Sequence, residues 1–345
     1  MAHDGSSRGG AVAGTRQKMR AIAQDGYGSL DRLELREIDR PEVGDGEVLV
    51  RVHAAALHIG DCFAVRGEPY LMRMATGVFR PTSPVPGFDL AGTVEAVGRG
   101  VTRFRPGDEV FGSCPADGRG TCAEFSKLKE DFLAPKPENL TLEQAAALAT
   151  SGIAALCGVR DAAKVRAGQR VLIIGASGGV GTFGVQIAKS YGAEVTAVCS
   201  AANADMVRSL GADRVIDYAR EDFAEERGRY DVILDNVENR SLSDCRKALS
   251  PEGTLVLNSG TGASGMAMMV RLLKPILLSP FVRQNLRRYI SGPNYADLTA
   301  LKQLVETGKV RPEIGKTFSL AETTAALRYI ESGHARGKVI VTIRG

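Results

Sequence analysis

No stretch of this sequence offers an apolar run long enough to cross a bilayer, and the N-terminus lacks the apolar core of a signal peptide. The expected location is therefore the cytoplasm. An excess of one charge is missing as well: 44 Lys and Arg stand against 40 Asp and Glu, for a formal net charge of +4. That surplus is too small, and the basic residues too scattered, for nucleic acid to be a general partner. Close-paired cysteines are also absent. Cys62, Cys114, Cys122, Cys157, Cys199 and Cys245 form neither a C-x-x-C ligand knuckle nor a dense disulfide pattern, so they read as buried or inert thiols.

What is present is ordinary in composition and distinctive in order. The chain is 44% apolar and 24% charged, and its 345 residues exceed the usual size of one hydrophobic core, which implies two domains. Residues 1–17 are rich in Gly, Ser, Ala and charge without periodicity and read as a disordered leader. Between residues 18 and 140 the alternating runs Glu47–His53 and Gly92–Gly98, with a Pro-Gly turn inside Phe104–Gly112, describe a β-rich domain. A helix expected from Leu142 to about Ala163 leads into residues 141–309. A second helix near Glu322–Ser332 and a strand at Gly337–Ile343 suggest that residues 310–345 return to the first domain.

The stretch Arg170-Val-Leu-Ile-Ile-Gly-Ala-Ser-Gly-Gly-Val-Gly181 organises the middle of the chain. Val171 to Ile174 suit a short strand buried on both faces, and from Val180 the apolar positions Val180, Phe183, Ile187 and Tyr191 take helical spacing up to Gly192. A glycine turn between buried strand and helix is where a pyrophosphate binds, because the helix start offers unpaired N–H groups and partial positive charge. The loop reads Ala-x-Gly-x-x-Gly, with Ala176 where the first glycine of the dinucleotide fingerprint usually stands. Its bland alternative is a tight packing corner. Strand-like runs at Glu194–Cys199, Arg214–Tyr218, Asp231–Asp235 and Gly253–Leu257 then alternate with helical segments, the pattern of a doubly wound parallel sheet.

Four ordered stretches, Pro86-Gly-Phe-Asp-Leu-Ala-Gly-Thr-Val-Glu, Phe104-Arg-Pro-Gly-Asp-Glu-Val-Phe-Gly, Gly175-Ala-Ser-Gly-Gly-Val-Gly and Gly333-His-Ala-Arg-Gly-Lys-Val, resemble the medium-chain dehydrogenase/reductase superfamily, in particular its zinc-free quinone oxidoreductase-like branch. The similarity runs from Met19 to Ile343. It implies an α/β architecture: a chaperonin-like (GroES-like) catalytic domain, a Rossmann NADP-binding domain, and an active-site cleft between them. Zinc-dependent relatives have a cysteine ligand where His58 stands and a histidine ligand where Phe88 stands. Phe88 has no coordinating atom, so no catalytic metal is expected.

In the fingerprint, Ser177, Gly178, Gly179, Val180 and Gly181 are the expected pyrophosphate contacts. An NAD site normally carries an acid about 20 residues beyond the fingerprint. Here that place holds Cys199-Ser200-Ala-Ala-Asn203, so Ser200, with Tyr218 from the resemblance, favours the 2′-phosphate of NADPH. The lysine that NADPH-using relatives often place a few residues after the serine is replaced by Asn203 and Ala204. Asn236 and Val237, and Ser259 and Gly260, end the next strands and are further cofactor candidates. Lys338 reaches the cofactor from the other domain or is a solvated charge.

On the substrate side, His58-Ile-Gly-Asp61 occupies the place of the relatives' Asn-Pro-x-Asp. His58 is either a proton donor or a histidine fixed by local hydrogen bonds. Asp61 orients the loop, Tyr70 is a second catalytic candidate, and Ala154 replaces a threonine common in relatives. Segment 264–288, with Met266, Met268, Met269 and several arginines but no acid, reads as a lid over an apolar substrate or a packed excursion. Contact with an anionic membrane is a less favoured reading. The expected activity is hydride transfer from NADPH to a quinone, an enone or a similar small apolar acceptor. The alternative is a non-catalytic NADPH-binding sensor or membrane-associated accessory protein, and a homodimer is left open.

Overall fold

The structure is a computed structural model and describes residues 17–68, 70, 73–115, 120–258, 273, 275 and 277–343. All but Gln17 of the expected leader lies outside these residues; the Gln17 carbonyl accepts a hydrogen bond from Arg40 N at 2.8 Å.

Fifteen strands are described. They are β1 (Lys18–Ala23), β2 (Glu34–Asp39), β3 (Glu47–Leu57), β4 (Asp89–Val97), β5 (Glu109–Ser113), β6 (Phe125–Lys129), β7 (Leu133–Pro135), β8 (Arg170–Ile174), β9 (Glu194–Cys199), β10 (Arg214–Asp217), β11 (Tyr230–Asp235), β12 (Leu249–Leu257), β13 (Asn285–Arg288), β14 (Ile314–Ser319) and β15 (Lys338–Thr342). The first sheet has the order β14-β15-β3-β4-β5-β7, with β6 also pairing with β3. The C-terminal strands thus join the sheet begun near the N-terminus, β15 running antiparallel to β3 with Val339 opposite Leu57. Alternation along β3 explains its place: Val48, Val50, Val52 and Ala55 are fully buried in one apolar cluster with Leu90, Val110 and Val339.

The second sheet has six parallel strands in the order β10-β9-β8-β11-β12-β13. Its central strand β8 is the branched run Arg170–Ile174, in which Val171, Leu172 and Ile173 are fully buried, as expected for a strand covered by helices on both faces. On one face the helix Gly179–Ser190 buries Phe183, Val185, Ile187 and Ala188. Each of the Phe, Val and Ile side chains contributes about 1.5–3 kcal/mol by burial. The strand order reverses between β9-β8 and β11-β12, and ligands of open α/β sheets bind beyond the carboxyl ends of strands at such a switch point.

Two features differ from the sequence reading. The helix expected over Leu142–Ala163 is broken into Leu142–Ala146, Ala149–Cys157 and a π-helical turn Gly158–Ala163. Glycines sit where close neighbours demand them: a Cβ on Gly152 would lie 2.4 Å from Leu301, and one on Gly158 3.1 Å from the Tyr289 hydroxyl. The sixth strand β13 lies inside segment 264–288. It has one buried apolar residue, Leu286, and pairs with β12 at Leu255. Residues 264–272, 274 and 276 of that segment lie outside the described residues, while Leu273, Leu277 and Phe281 are exposed.

Candidate active site

A cleft of about 1360 Å³ opens beyond the carboxyl ends of the parallel strands and runs to the end of β3 in the other sheet. Its lining includes Ser177, Gly178, Gly179, Val180, Gly181, Ser200, Tyr218, Asn236, Val237, His58 and Lys338. Residues from both halves of the chain, chosen on different grounds, therefore face one space. Ser259 and Gly260 lie outside the described residues. Tyr70 does not belong to this lining; it is 73% exposed, with the Arg73 guanidinium 4.6 Å over its ring.

The glycine loop divides its labour. Gly175, not the Ala176 position, makes the tight turn: its φ is +74°, in the left-handed region that favours glycine, and a Cβ there would sit 2.5 Å from Val237. Gly181 lets helix meet strand, because a Cβ would come 2.1 Å from the Gly175 carbonyl oxygen. Gly178 is different. Its φ of −82° suits any residue, and an added Cβ would approach only Gly175 O at 3.5 Å, an ordinary contact. The protein itself does not require a glycine there, and the missing side chain leaves room in the cleft. The helix that follows has no side-chain N-cap and no acid in its first turn, so its leading N–H groups are available to an anion. These features fit a dinucleotide pyrophosphate.

The returning C-terminal segment pins this loop. Gly337 N donates to Ser177 O at 2.8 Å, and Gly337 and Gly178 form an isolated parallel bridge. Lys338 follows and is 1% exposed, so it is not a solvated charge. Its Nζ lies 3.1 Å from Ser151 Oγ and 3.5 Å from Asp89 Oδ2. Asp89 Oδ1 in turn accepts from Thr150 N at 3.2 Å and from the Thr150 hydroxyl. The break before Ala149 brings Thr150 and Ser151 to this buried pair. Sequence reasoning missed Asp89, Thr150 and Ser151. Asp89 stood inside the matched stretch Pro86–Glu95, but nothing local links it to a lysine 249 positions away.

His58 follows the last residue of β3 and is the N-cap of helix Ile59–Arg66. Its Nδ1 accepts from Gly60 N at 3.0 Å, while its backbone N–H donates to Asp61 Oδ2 at 2.8 Å. With Nδ1 engaged as an acceptor, the proton of the neutral imidazole is on Nε2. Nε2 is buried without a hydrogen-bond partner among the described residues, and the ring stacks on Phe88 at 5.4 Å and 18°. Local hydrogen bonds thus fix the ring and leave Nε2–H buried without a partner among the described residues. Asp61 is fully buried, and burial raises its pKa against the opposing effects of His58. Cys199 also lines the cleft; burial pushes its thiol up to about 11, which keeps it protonated and unreactive at neutral pH.

Leu57, Ile59, Phe63, Ala154, Ile330 and Val339 make the space beside His58 apolar. A parallel sheet with its glycine loop at the switch point, closed against a second sheet by an apolar pocket, defines a two-domain dinucleotide-dependent oxidoreductase.

Comparison with known proteins gives the family. Residues 44–138 match the alcohol dehydrogenase GroES-like domain, and residues 210–341 match the zinc-binding dehydrogenase domain. Mouse mitochondrial NAD(P)H oxidoreductase RTN4IP1 is 35% identical over 332 residues, covering 86% of this chain and 82% of that protein. The chloroplastic NADPH-dependent alkenal/one oxidoreductase of Arabidopsis thaliana is 33% identical over 346 residues, covering 96% and 81%. The solved quinone oxidoreductase of Coxiella burnetii superposes with a TM-score of 0.82 at 29% identity, over 95% of this chain and 100% of that one. The chain belongs to the medium-chain dehydrogenase/reductase superfamily, in its quinone oxidoreductase-like branch, and is an NAD(P)H-dependent oxidoreductase.

Proposed function

We propose that this protein uses NADPH to reduce a quinone, an enone or a similar small apolar acceptor, without a catalytic metal. The observation that carries the reading is the apolar pocket, lined in part by His58, that is continuous with the glycine-loop cleft; the buried Nε2 of His58 has no hydrogen-bond partner among the described residues. A dinucleotide whose pyrophosphate is held at that loop would supply hydride from its nicotinamide. The protein's residues do the rest. Gly178 and the helix start receive the pyrophosphate, and Lys338, held by Asp89 and Ser151, presses its stem against Gly179, whose added Cβ would meet Lys338 Cδ at 3.2 Å. The apolar walls would keep bulk water from the hydride, His58 Nε2–H would hydrogen-bond the acceptor's oxygen, where negative charge collects, and protons taken up from solvent would complete the reduction of the resulting anion.

Three further points support the finer reading. Ser200 and Tyr218 follow paired residues of adjacent strands, Cys199 opposite Asp217, with no acid at the end of β9. Relatives carry the names NADPH-dependent alkenal/one oxidoreductase and 2-methylene-furan-3-one reductase, the latter 32% identical. Phe88, which offers no metal ligand, stacks on the ring of His58. We place the protein in the cytoplasm, to be checked by cell fractionation; among the described residues no helix is long and apolar enough to cross a membrane. The function is tested by NADPH oxidation with a panel of quinones and enones, before and after dialysis against a strong chelator. Turnover unaffected by the chelator is expected. Binding without turnover of any acceptor would favour a sensor, and activity lost to the chelator and restored by zinc would overturn the metal-free mechanism.

A further inference from the structure

We infer that Arg220 receives the 2′-phosphate of the dinucleotide and so sets the preference for NADPH over NADH, an inference that rests on the NADPH reading above. The sequence lacks the lysine that relatives place after the strand-end serine, and the structure offers a cation from the neighbouring strand instead. Ser200, Asn203, Tyr218 and Arg220 all line the cleft. They come together because β9 and β10 run parallel with Cys199 opposite Asp217, and Tyr218 N donates back to Cys199 O at 3.3 Å. A tight turn then carries the chain to Arg220, whose N–H donates to Asp217 O at 2.9 Å, while Ala219 N donates to Asp217 Oδ1 at 3.1 Å.

Three Lys or Arg side chains line the described cleft: Lys338, Arg240 and Arg220. Lys338 is buried with Asp89, and Arg240 hydrogen-bonds Asp222 and lies over the Phe223 ring. Arg220 is the least committed. Its side chain is 82% exposed and makes only a loose ion pair, Nε to Asp217 Oδ2 at 3.7 Å, with no side-chain hydrogen bond among the described residues. The acids of the same lining are largely matched: Glu221 and Glu226 pair with Arg214 and Asp222 with Arg240, leaving Glu225. Ser200 Oγ already accepts from Asn203 Nδ2 at 3.2 Å, which leaves its hydroxyl proton to donate. A phosphate here meets a forked guanidinium and hydroxyl donors, whereas NADH presents a neutral ribose to the same groups.

The experiment titrates the full-length protein and its Arg220→Ala and Arg220→Lys variants with NADPH, NADH, adenosine 2′,5′-bisphosphate and 5′-AMP at one ionic strength. Wild type is expected to bind the bisphosphate about tenfold more tightly than 5′-AMP. Arg220→Ala should raise the Kd of NADPH and of the bisphosphate about tenfold while leaving NADH and 5′-AMP within about twofold. Arg220→Lys should recover part of the loss, because the charge stays but the fork is gone. An unchanged Tm would show that the exposed side chain is not needed for folding. If wild type discriminates and Arg220→Ala discriminates equally well, Arg220 is not the phosphate ligand although the NADPH reading stands. If wild type binds both adenosine probes equally, the NADPH reading fails and takes this inference with it.

Discussion

Replacing Gly178 by valine should separate cofactor binding from folding, and replacing Gly181 by alanine should do the reverse. At Gly178 the backbone is extended, with φ −82° and ψ 174°, and a Cβ meets only Gly175 O at 3.5 Å. The fold should therefore lose no more than about 1 kcal/mol, the cost of a poor residue at a helix N-cap. Valine's two methyl groups would stand where the pyrophosphate must approach the loop. Loss of that approach should raise the Kd for NADPH at least about 100-fold, or about 2.7 kcal/mol. At Gly181 the added carbon would lie 2.1 Å from Gly175 O and 2.7 Å from Ala176 Cα, both backbone atoms that cannot swing aside. Even alanine should then destabilise the fold by at least about 1–3 kcal/mol, the usual cost of overpacking. Urea unfolding and calorimetric titration of both variants measure the two quantities. A folded Gly178→Val protein with unchanged NADPH affinity would show that the dinucleotide binds elsewhere. A Gly181→Ala protein as stable as wild type would refute the packing argument.

Ser200→Asp should weaken NADPH by setting a carboxylate against its 2′-phosphate while keeping or improving NADH binding, measured as the two dissociation constants at one ionic strength. Equal losses would mean that Ser200 does not face the adenosine ribose. His58→Phe keeps the ring against Phe88 but removes Nε2–H, so kcat should fall about 100-fold with NADPH affinity within about twofold of wild type; unchanged kcat in a folded variant would remove His58 from the chemistry. Asp61→Asn tests the buried carboxyl by its pH dependence. Because burial raises the folded pKa of Asp61, its contribution to stability is fully present below the unfolded value of about 3.9 and is lost as pH rises through the folded value. Asparagine keeps an acceptor for His58 N, so urea unfolding should show the variant gaining on wild type as pH rises above the unfolded value of about 3.9, and a variant that falls behind as pH rises contradicts the assignment.

Much of the architecture was legible because it is written in local patterns. Val171 to Ile174 announced a buried strand, and the spacing of Phe183 and Ile187 announced the helix that covers it, since burial on both faces leaves little choice of residue. The edge strand Asn285–Arg288 was not legible, because among the described residues one side of it pairs with no strand and Leu286 is its one buried apolar residue. The breaks in Leu142–Ala163 were hidden for another reason: that run is apolar almost throughout, and what interrupts it is tertiary, the reach of Thr150 to Asp89 and the approach of Tyr289 to Gly158. In the site, the glycine loop, Ser200 and Tyr218 could be named from the chain. The buried Asp89–Lys338 pair could not, as it joins residues from β4 and β15 that become neighbours through folding. Arg220 was passed over because an arginine in a charged turn looks like any solvated residue until the turn is seen to end on the cleft.

In the proposed reaction, hydride passes from NADPH to an apolar acceptor in the pocket beside His58. The most direct test is to incubate the enzyme with NADPH carrying deuterium at the transferable C4 position and a simple enone, and to analyse the product by mass spectrometry and NMR. One deuterium is expected on the β-carbon of a saturated ketone, formed in step with NADPH oxidation and suppressed in His58→Phe. NADPH that remains unoxidised across the acceptor panel, or a reduced product that carries no deuterium, would contradict it.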